Sequence, residues 1–344
     1  MYKTSISDGE LESINLILTE VVSKYDSVEE TGFLKDAPLY AHEFPRRLRI
    51  LLSDFKTLEP APGLCLISGF RIDGQKIGRT PSHWQNRSPL SPAIREEALL
   101  ILLGSLLGEV FAWSTQQNGY VIHDILPIKE HANEQLGAGC EQTLWWHNED
   151  AFHACRGDYL GMMCLRNPDN VATTVASINS IELDDRLIDL LFEQRFSIRP
   201  DESHLEKNKA TVEDCQPDHE RSLDAAYQRI KQQREKPERL AVLFGDRKSP
   251  YIRIDPYFMD PLEDDAEATL ALNALIRSVD QHLSDLVLTP GDIVFIDNFR
   301  VVHGRKPFHA RYDGTDRWLK RINITRDLRK SRGLRPDVSS RILY

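Results

Sequence analysis

Residues 142–169, QTLWWHNEDAFHACRGDYLGMMCLRNPD, decide the fold. This stretch contains two short runs of apolar and aromatic residues, and a turn-forming run, Asn167–Asn170, follows them. Runs of the same kind recur from residue 140 onward, at lengths typical of strands. Strands are therefore predicted at 143–146, 159–165, 173–178, 240–244, 251–254, 286–288, 293–296 and 318–325. With predicted helices at 181–193 and 265–284, they indicate an α+β protein whose core is a double-stranded β-helix, or jelly roll, with flanking helices.

The first third of the chain is predicted to be mainly helical. An S-x-x-E capping box starts at Ser7, and apolar residues then recur at helical intervals, so a helix is expected over 8–24. Further helices are predicted at 46–58 and 93–112, with a strand at 64–70 between them.

Residues 199–238 are polar and highly charged. Such a segment predicts either a solvated insertion or a mobile lid over an active site. No repeat or low-complexity linker interrupts the chain, so residues 1–344 are expected to form a single domain in which 199–238 is a lid insertion.

The composition limits the classes of partner. The 344 residues carry a formal net charge of −10, which argues against binding to nucleic acid or to an anionic membrane. The most apolar stretch, 98–113, is interrupted by glycine, serine and glutamate and falls short of the roughly 18 apolar residues of a membrane span. Five cysteines without a CxxC pair suit free thiols, and no secretory signal is visible. A cytoplasmic protein with a small-molecule partner is expected, whose oligomeric state the sequence does not determine.

His147 and Glu149 are two residues apart at the end of a predicted strand. Side chains at i and i+2 of a strand share a face, so an imidazole and a carboxylate can bind one metal ion there. The pattern alone is weak: His204 and Glu206 repeat it, and among 11 histidines about one chance match is expected. The two pairs differ in context, because the run before His147 is apolar, whereas His204 lies in the charged insertion. We therefore take His147 and Glu149 as the candidate ligands.

His303 supplies a third ligand. It lies just beyond the predicted strand 293–296, at a strand end, where chains commonly place reactive side chains. Two histidines and one carboxylate leave three positions open on an octahedral metal, as in the facial triad of non-haem Fe(II) oxygenases. The same ligands would suit a zinc hydrolase with a bound water, or a cupin-like protein that binds its ligand without turnover.

Arg317, fourteen residues after His303, favours an oxygenase that uses 2-oxoglutarate. A 2-oxo acid that chelates a metal through its keto group and C1 carboxylate presents a second carboxylate. The planar fork of an arginine can bind that group with two hydrogen bonds, and Thr173 could add a hydroxyl. An arginine in this position could instead form a surface ion pair with Asp313 or Asp316.

Four stretches together resemble the clavaminate synthase-like branch of the Fe(II)/2-oxoglutarate oxygenases, in particular the viomycin-type L-arginine β-hydroxylases. They are 113–119 (WSTQQNG), 142–169, 302–305 (VHGR) and 310–321 (ARYDGTDRWLKR). The resemblance covers most of the chain, and it implies Fe(II) as cofactor with 2-oxoglutarate and O₂ as cosubstrates. It also implies the residues that hold them: His147, Glu149 and His303 for the metal, and Arg317 and Thr173 for 2-oxoglutarate.

The same resemblance implies the substrate contacts. Arg321 would bind the α-carboxylate of an amino acid, and Gln116, or its neighbour Gln117, would bind the α-amino group together with Glu149. Asp255 would face a basic side chain through a charge-assisted hydrogen bond, although an aspartate at a strand end could also cap a turn. Two residues later, Tyr257 replaces a second acidic group that we expect in arginine hydroxylases, and it can stack on a guanidinium or hydrogen-bond to it.

The predicted function is hydroxylation of a free basic L-amino acid, foremost L-arginine at C3 (β), with release of succinate and CO₂. An amino group held beside Glu149 would place Cβ near the metal, which favours C3. The sequence leaves open lysine, asparagine, capreomycidine and enduracididine as substrates, desaturation in place of hydroxylation, and a His₂Glu zinc hydrolase.

Overall fold

The computed structural model describes residues 1–59, 62–208, 217–260, 262 and 264–344. Its helices are α1 (Asp8–Lys24), α2 (Thr31–Ala41), α3 (Arg46–Thr57), α4 (Ile94–Ser105), α5 (Asp185–Leu191), α6 (Pro217–Glu235) and α7 (Ala266–His282). Its strands are β1 (Tyr2–Ser5), β2 (Leu64–Ser68), β3 (Glu109–Trp113), β4 (His123–Ile125), β5 (Leu144–His147), β6 (Tyr159–Arg166), β7 (Ala172–Ser177), β8 (Phe196–Ser197), β9 (Arg239–Leu240), β10 (Leu243–Asp246), β11 (Ser249–Ile252), β12 (Ser284–Val287), β13 (Ile293–Asp297), β14 (Val301–Arg305), β15 (Trp318–Thr325) and β16 (Ile342–Leu343).

Two sheets share one apolar layer. The large sheet has the strand order β1-β2-β13-β6-β15-β3-β16, with β4 also paired to β15, and the small sheet has the order β12-β7-β14-β5. Both sheets contribute side chains to the layer between them: Leu160, Met162, Val294, Ile296 and Leu319 from the large sheet, and Val175, Leu286 and Val301 from the small sheet. The predicted combination of sheets and flanking helices is confirmed.

Strand β6 shows how the sequence produces this arrangement. Leu160 and Met162 contribute to the layer between the sheets, whereas Tyr159 and Met163 pack with the helices on the other face. Successive side chains of a strand point to opposite faces, so a strand that is apolar on both faces must be central. Strand β6 accordingly pairs with β13 on one side and β15 on the other.

Helices cover the outer faces of both sheets. Helices α1 to α4 share an apolar cluster with the large sheet, and α5 and α7 share another with the small sheet. None of the helices in the described ranges has the length and apolarity that a membrane crossing requires.

The predicted helix over 93–112 is wrong in its last part, where the structure has the end of α4 and then strand β3. Gly104 and Gly108 explain the difference. A Cβ on Gly104 would lie 2.6 Å from Cδ1 of Ile322, and one on Gly108 would collide with the backbone oxygen of Thr325. The two glycines therefore let the chain pass close to β15 and pair with it as a strand.

Helices α1 and α3 lie where they are predicted. The capping box is present at the start of α1, where the side chain of Ser7 accepts the N–H of Glu10 and the Glu10 carboxylate accepts the N–H of Ser7 at 2.9 Å. Helix α2 and strands β1, β4 and β14 are not predicted from the sequence. Among the described residues, strand β1 pairs only with β2, which lies some sixty residues away, so no local pattern indicates it.

The charged segment 199–238 contains helix α6. This helix buries four side chains at helical spacing: Leu223, Ala226, Tyr227 and Ile230. Residues 209–216 of the segment lie outside the described residues, and the role of the segment as a lid stays a prediction.

Candidate active site

Strands β5 and β14 of the small sheet bring the three candidate metal ligands together. His303 lies opposite His147 in their antiparallel pairing, and the ring centroids are 4.7 Å apart. Glu149 follows β5, and its Oε2 is 3.8 Å from Nε2 of His147 and 3.6 Å from Nε2 of His303. His303 lies beyond the strand predicted at 293–296, which is β13, but the expected position at a strand end is wrong, because His303 lies within β14. One ligand atom from each residue lies within 4.8 Å of the others, close enough to hold one ion.

The surroundings of these side chains fit a metal cation. Nδ1 of His147 is 2.7 Å from the carbonyl oxygen of Trp145, which can only accept, so Nδ1 donates to it and Nε2 is the nitrogen that would bind a metal. Burial alone would raise the pKa of Glu149, but Arg321 and the two histidines hold it well below its usual range. Burial would also lower the pKa of His147, yet Glu149 and Asp255 raise it to about 9. Negative charge that favours a proton here would equally favour a divalent cation.

Arg317 and Thr173 meet beside this cluster, as predicted. Arg317 is buried, its Nη2 donates to Oγ1 of Thr173 at 3.3 Å, and burial lowers its pKa to about 10. Within the described part of the chain, its Nε has no hydrogen-bond partner and no carboxylate forms an ion pair with its guanidinium. The alternative of a surface ion pair is therefore wrong: Asp313 accepts from Thr315, and Asp316 accepts from backbone N–H groups. A buried guanidinium without a counter-charge is costly unless a ligand carboxylate pairs with it.

Arg321 lies four residues further along β15 and joins the metal cluster. Its Nη1 forms an ion pair with Oε1 of Glu149, and its Nη2 is 2.7 Å from Nδ1 of His123. Arg321 lines the cavity that also contains His147 and His303. The guanidinium therefore borders the space in which a metal-bound ligand and a substrate would meet.

The structure distinguishes Gln116 from its neighbour Gln117. Both amide atoms of Gln117 bond to the backbone of Asp124, at 2.9 and 3.0 Å. Nε2 of Gln116 donates to Ser203 at 2.6 Å and to Asp150 at 3.3 Å, whereas its buried Oε1 has no partner in the described part of the chain. Gln116 is thus the residue of the two with an acceptor free for a ligand.

Asp255 and Tyr257 lie at the cavity beyond β11. Asp255 is buried, which raises its pKa to about 6, and it accepts the backbone N–H groups of Tyr257 at 3.2 Å and Phe258 at 3.4 Å. The turn-capping role considered for Asp255 is therefore real, but the same carboxylate also lines the cavity. Tyr257 is 52% exposed, and its ring centroid is 6.5 Å from that of Trp145. The cavity brings the metal cluster, Arg317, Arg321 and Asp255 to one opening, which suits a small molecule with a cosubstrate.

Three residues of the charged insertion belong to the site, and sequence reasoning missed them. Asp201 and Ser203 line the cavity, and His204 is fully buried with Nε2 3.0 Å from Oδ1 of Asp150. The interpretation that His204 lies in a solvated context is wrong, although Glu206 is indeed outside the cavity lining. His204 and Asp150 are 54 residues apart in the chain, and no local pattern shows such a contact.

Comparison with known proteins assigns the family. Residues 96–323 match the taurine catabolism dioxygenase TauD, TfdA family. The chain belongs to this family, because the match covers well over half of its length.

Individual relatives match over their whole length. The enduracididine beta-hydroxylase of Streptomyces hygroscopicus is 44% identical and the L-ornithine/L-arginine 3-hydroxylase of Catenulispora acidiphila 42% identical, each over 100% of both chains. The structure of the non-heme iron oxygenase OrfP in complex with Fe, succinate and (3S)-hydroxy-L-Arg is 42% identical, with a TM-score of 0.93 and 100% coverage of both chains. The predicted family resemblance is confirmed, and so is the predicted enzyme class, a dioxygenase that hydroxylates amino acids.

Proposed function

We propose that this chain hydroxylates free L-arginine at C3, with Fe(II) as cofactor and 2-oxoglutarate and O₂ as cosubstrates. One oxygen atom of O₂ enters the new C–OH group and the other enters succinate, which forms with loss of CO₂ from 2-oxoglutarate. The observation that carries the proposal is a single cavity that combines the metal cluster, an unpaired buried arginine and a buried carboxylate. OrfP, with succinate and (3S)-hydroxy-L-Arg in its complex, supports it.

The cosubstrate side of the cavity is formed by five residues. His147, Glu149 and His303 would hold the iron, which supplies the activation of O₂ when it is bound with 2-oxoglutarate. Arg317 would pair with the distal carboxylate of 2-oxoglutarate, and Thr173 would bond to the same group. This pairing gives the buried guanidinium of Arg317 the counter-charge that it lacks among the described residues.

The backbone end of the amino acid would lie at Arg321. Its guanidinium would bind the α-carboxylate, and the free Oε1 of Gln116 would accept a hydrogen bond from the ammonium group. Glu149 would accept another, because its Oε1 faces Arg321. With both groups of the α-carbon held next to a metal ligand, C3 becomes the side-chain carbon nearest the metal.

The side-chain end would lie between Asp255 and Tyr257. A guanidinium can donate two hydrogen bonds to Asp255 and stack on the ring of Tyr257. Asp201, which lines the same cavity, would supply the second negative charge that the sequence appeared to lack at position 257. Two carboxylates and an aromatic face together suit a planar cation.

The finer features of the fold are part of the proposal. We infer that the two sheets form a double-stranded β-helix, because they share the apolar layer between them, and that residues 1–344 are a single domain. Segment 199–238 would act as a lid, since Asp201 and Ser203 border the cavity from it.

The cyclic amino acid enduracididine is a second candidate substrate. The 44% identity to an enduracididine beta-hydroxylase favours it, and its ring contains the same planar guanidine that Asp255 and Tyr257 would recognise. The zinc hydrolase has no such support, because it leaves the unpaired Arg317 without a role.

The test is succinate release and product mass over a panel of amino acids. Protein loaded anaerobically with Fe(II) would receive 2-oxoglutarate, air and arginine, enduracididine, ornithine, lysine or asparagine. We expect the highest kcat/KM with arginine, a product heavier by one oxygen atom, and fragment ions that place the hydroxyl at C3. Succinate release that does not increase with any of these amino acids would contradict the proposal, and a higher kcat/KM for enduracididine would replace arginine with it.

A further inference from the structure

The first residues of the insertion are held at the site by a buried hydrogen-bond cluster. His204 is fully buried, with the rings of Trp113 and Phe152 edge-on to it. Its Nε2 is 3.0 Å from Oδ1 of Asp150, and its Nδ1 is 2.7 Å from Oγ1 of Thr115. One imidazole thus connects the insertion to the segment after β5 and to the segment after β3.

Asp150 is the centre of this cluster. Its Oδ2 accepts the indole N–H of Trp113 at 2.6 Å, and its Oδ1 accepts from Gln116 at 3.3 Å as well as bonding to His204. Asp150 directly follows Glu149, and its φ of +51° lies in the left-handed region, which costs energy for a residue other than glycine. These hydrogen bonds hold the strained residue in place.

A second metal site is the alternative explanation for the cluster. Ligand atoms of Asp150, Asp201 and His204 lie within 4.8 Å of one another. Hydrogen bonds already occupy them, however: Asp150 bonds to three side chains, and Asp201 accepts the backbone N–H of Ser203 at 2.8 Å. A metal would have to displace these bonds, so the cluster is better explained as an anchor.

We infer that His204 is a positioning residue for the substrate, because it fixes the groups that would contact both ends of the amino acid. This inference rests on the proposed function. Ser203 is adjacent to His204 and accepts the Gln116 amide at 2.6 Å, which leaves Oε1 of Gln116 as the free acceptor for the α-amino group. Asp201, three residues before His204, lines the same cavity, and its charge raises the pKa of Asp255, which would face the side chain of the substrate.

The anchor leaves the cosubstrate side of the site untouched. His204 bonds to neither Arg317 nor His303. Loss of the anchor should therefore weaken arginine binding and increase the amount of succinate released per hydroxyarginine formed, while 2-oxoglutarate binding stays the same. Loss of a residue needed only for stability would not affect arginine binding without also affecting 2-oxoglutarate binding.

The variant His204→Phe keeps a ring of similar size and removes both nitrogens. We expect the KM for arginine to rise about tenfold or more, since two buried hydrogen bonds are lost, with the KM for 2-oxoglutarate within about twofold. More succinate should form per hydroxyarginine. Backbone amides of 199–208 should exchange hydrogen faster, with and without arginine. His204→Gln should restore part of the arginine affinity, because its amide can still donate to Asp150.

The matched control is Lys207→Met. It removes a surface ion pair of the same segment, to Glu134 at 3.0 Å, and should leave both KM values unchanged. An unchanged arginine KM in His204→Phe, or an equal rise in both KM values, would overturn the inference. If His204→Phe does not fold, Thr115→Val can replace it, because it removes one hydrogen bond of the anchor. Its KM for arginine must rise by a smaller factor while its KM for 2-oxoglutarate stays unchanged. An unchanged arginine KM in Thr115→Val would also overturn the inference.

The exchange measurement separates this inference from the proposed function. If the wild type releases no arginine-dependent succinate, the proposed function fails, and with it the substrate role of His204. Faster exchange of 199–208 in His204→Phe without arginine would still identify His204 as the anchor of that segment.

Discussion

The two sides of the cavity are built in different ways. The side that would hold iron and 2-oxoglutarate, which we call the strand wall, consists of His147, Glu149, Thr173, His303 and Arg317. The side that would hold the substrate side chain, which we call the loop wall, consists of Asp201, Ser203, Asp255 and Tyr257. Members of the strand wall lie on, or one or two residues from, paired strands, whereas the loop wall belongs to segments between longer elements.

The two walls therefore have different roles. The pairings of β14 with β5 and β7, and of β15 with β6, fix the strand wall, since backbone hydrogen bonds between strands set the position of each side chain. The loop wall depends on a few side-chain bonds, above all those of His204. Cosubstrates that a whole family shares suit a rigid frame, and a substrate that differs between relatives suits replaceable loops.

The largest effect is expected from the variant His303→Ala in the strand wall. Removal of one of three metal ligands should lower iron occupancy and reduce hydroxyarginine formation by about a thousandfold or more. Metal analysis of the purified protein and product mass spectrometry would measure it. His282→Ala, at the end of α7 and away from the cavity, is the control; activity within tenfold in His303→Ala would break the assignment of the strand wall.

The next effect is expected from Arg317→Met. Hydrogen bonds to charged groups contribute about 1.5–3 kcal/mol each, so the KM for 2-oxoglutarate should rise about 100-fold. Steady-state assays at saturating arginine would measure it. The control is Arg311→Met, in the same loop as Arg317, which breaks an exposed ion pair with Asp169 and should change the KM for 2-oxoglutarate little. Equal effects of the two variants on this KM would show that Arg317 does not bind the cosubstrate.

Asp255→Asn tests the loop wall. The KM for arginine should rise about 10- to 100-fold, while the KM for 2-oxoglutarate stays unchanged. Burial raises the pKa of Asp255 to about 6, so its carboxyl becomes protonated and loses its attraction for a guanidinium as the pH falls through about 6. Arginine affinity of the wild type should therefore decrease below that pH and that of Asp255→Asn should not; parallel pH profiles would remove Asp255 from the loop wall.

The smallest effect is expected from Tyr257→Leu. A cation–π contact at a partly exposed site contributes about 0.5–1 kcal/mol, so kcat/KM for arginine should fall about threefold to fivefold. Tyr257→Phe keeps the ring and should match the wild type. A loss in Tyr257→Phe as large as that in Tyr257→Leu would contradict a contact between the aromatic ring and the guanidinium.

Much of the strand wall can be predicted from the sequence. The i, i+2 relation of His147 and Glu149 follows from strand geometry, and Arg317 directly precedes the predicted strand 318–325, which the structure has as β15. Strand β14, which carries His303, is not predicted. Outside the strand wall, the sequence prediction fails at the end of α4 near residue 105. There Gly104 allows a close approach to β15, and the spacing of the apolar residues does not indicate it.

The loop wall is much harder to predict. Asp201 and His204 lie in a segment whose charge suggests solvent, and His204 is buried by contacts with Asp150 and Thr115, which lie 54 and 89 positions earlier in the chain. A local signal existed for α6, since Leu223 and Ile230 have helical spacing, but it does not indicate where that helix packs. Tertiary contacts that join distant segments therefore limit prediction most where the substrate would bind.

The central claim, that the strand wall is an oxygenase centre, is tested most directly by ¹⁸O₂. Wild-type protein with Fe(II), unlabelled 2-oxoglutarate and arginine would react under ¹⁸O₂, and both products would be weighed by mass spectrometry. The account predicts one ¹⁸O atom in hydroxyarginine and one in succinate, in equal amounts of the two products. A product that takes its oxygen only from water, or forms equally well without 2-oxoglutarate, would contradict it.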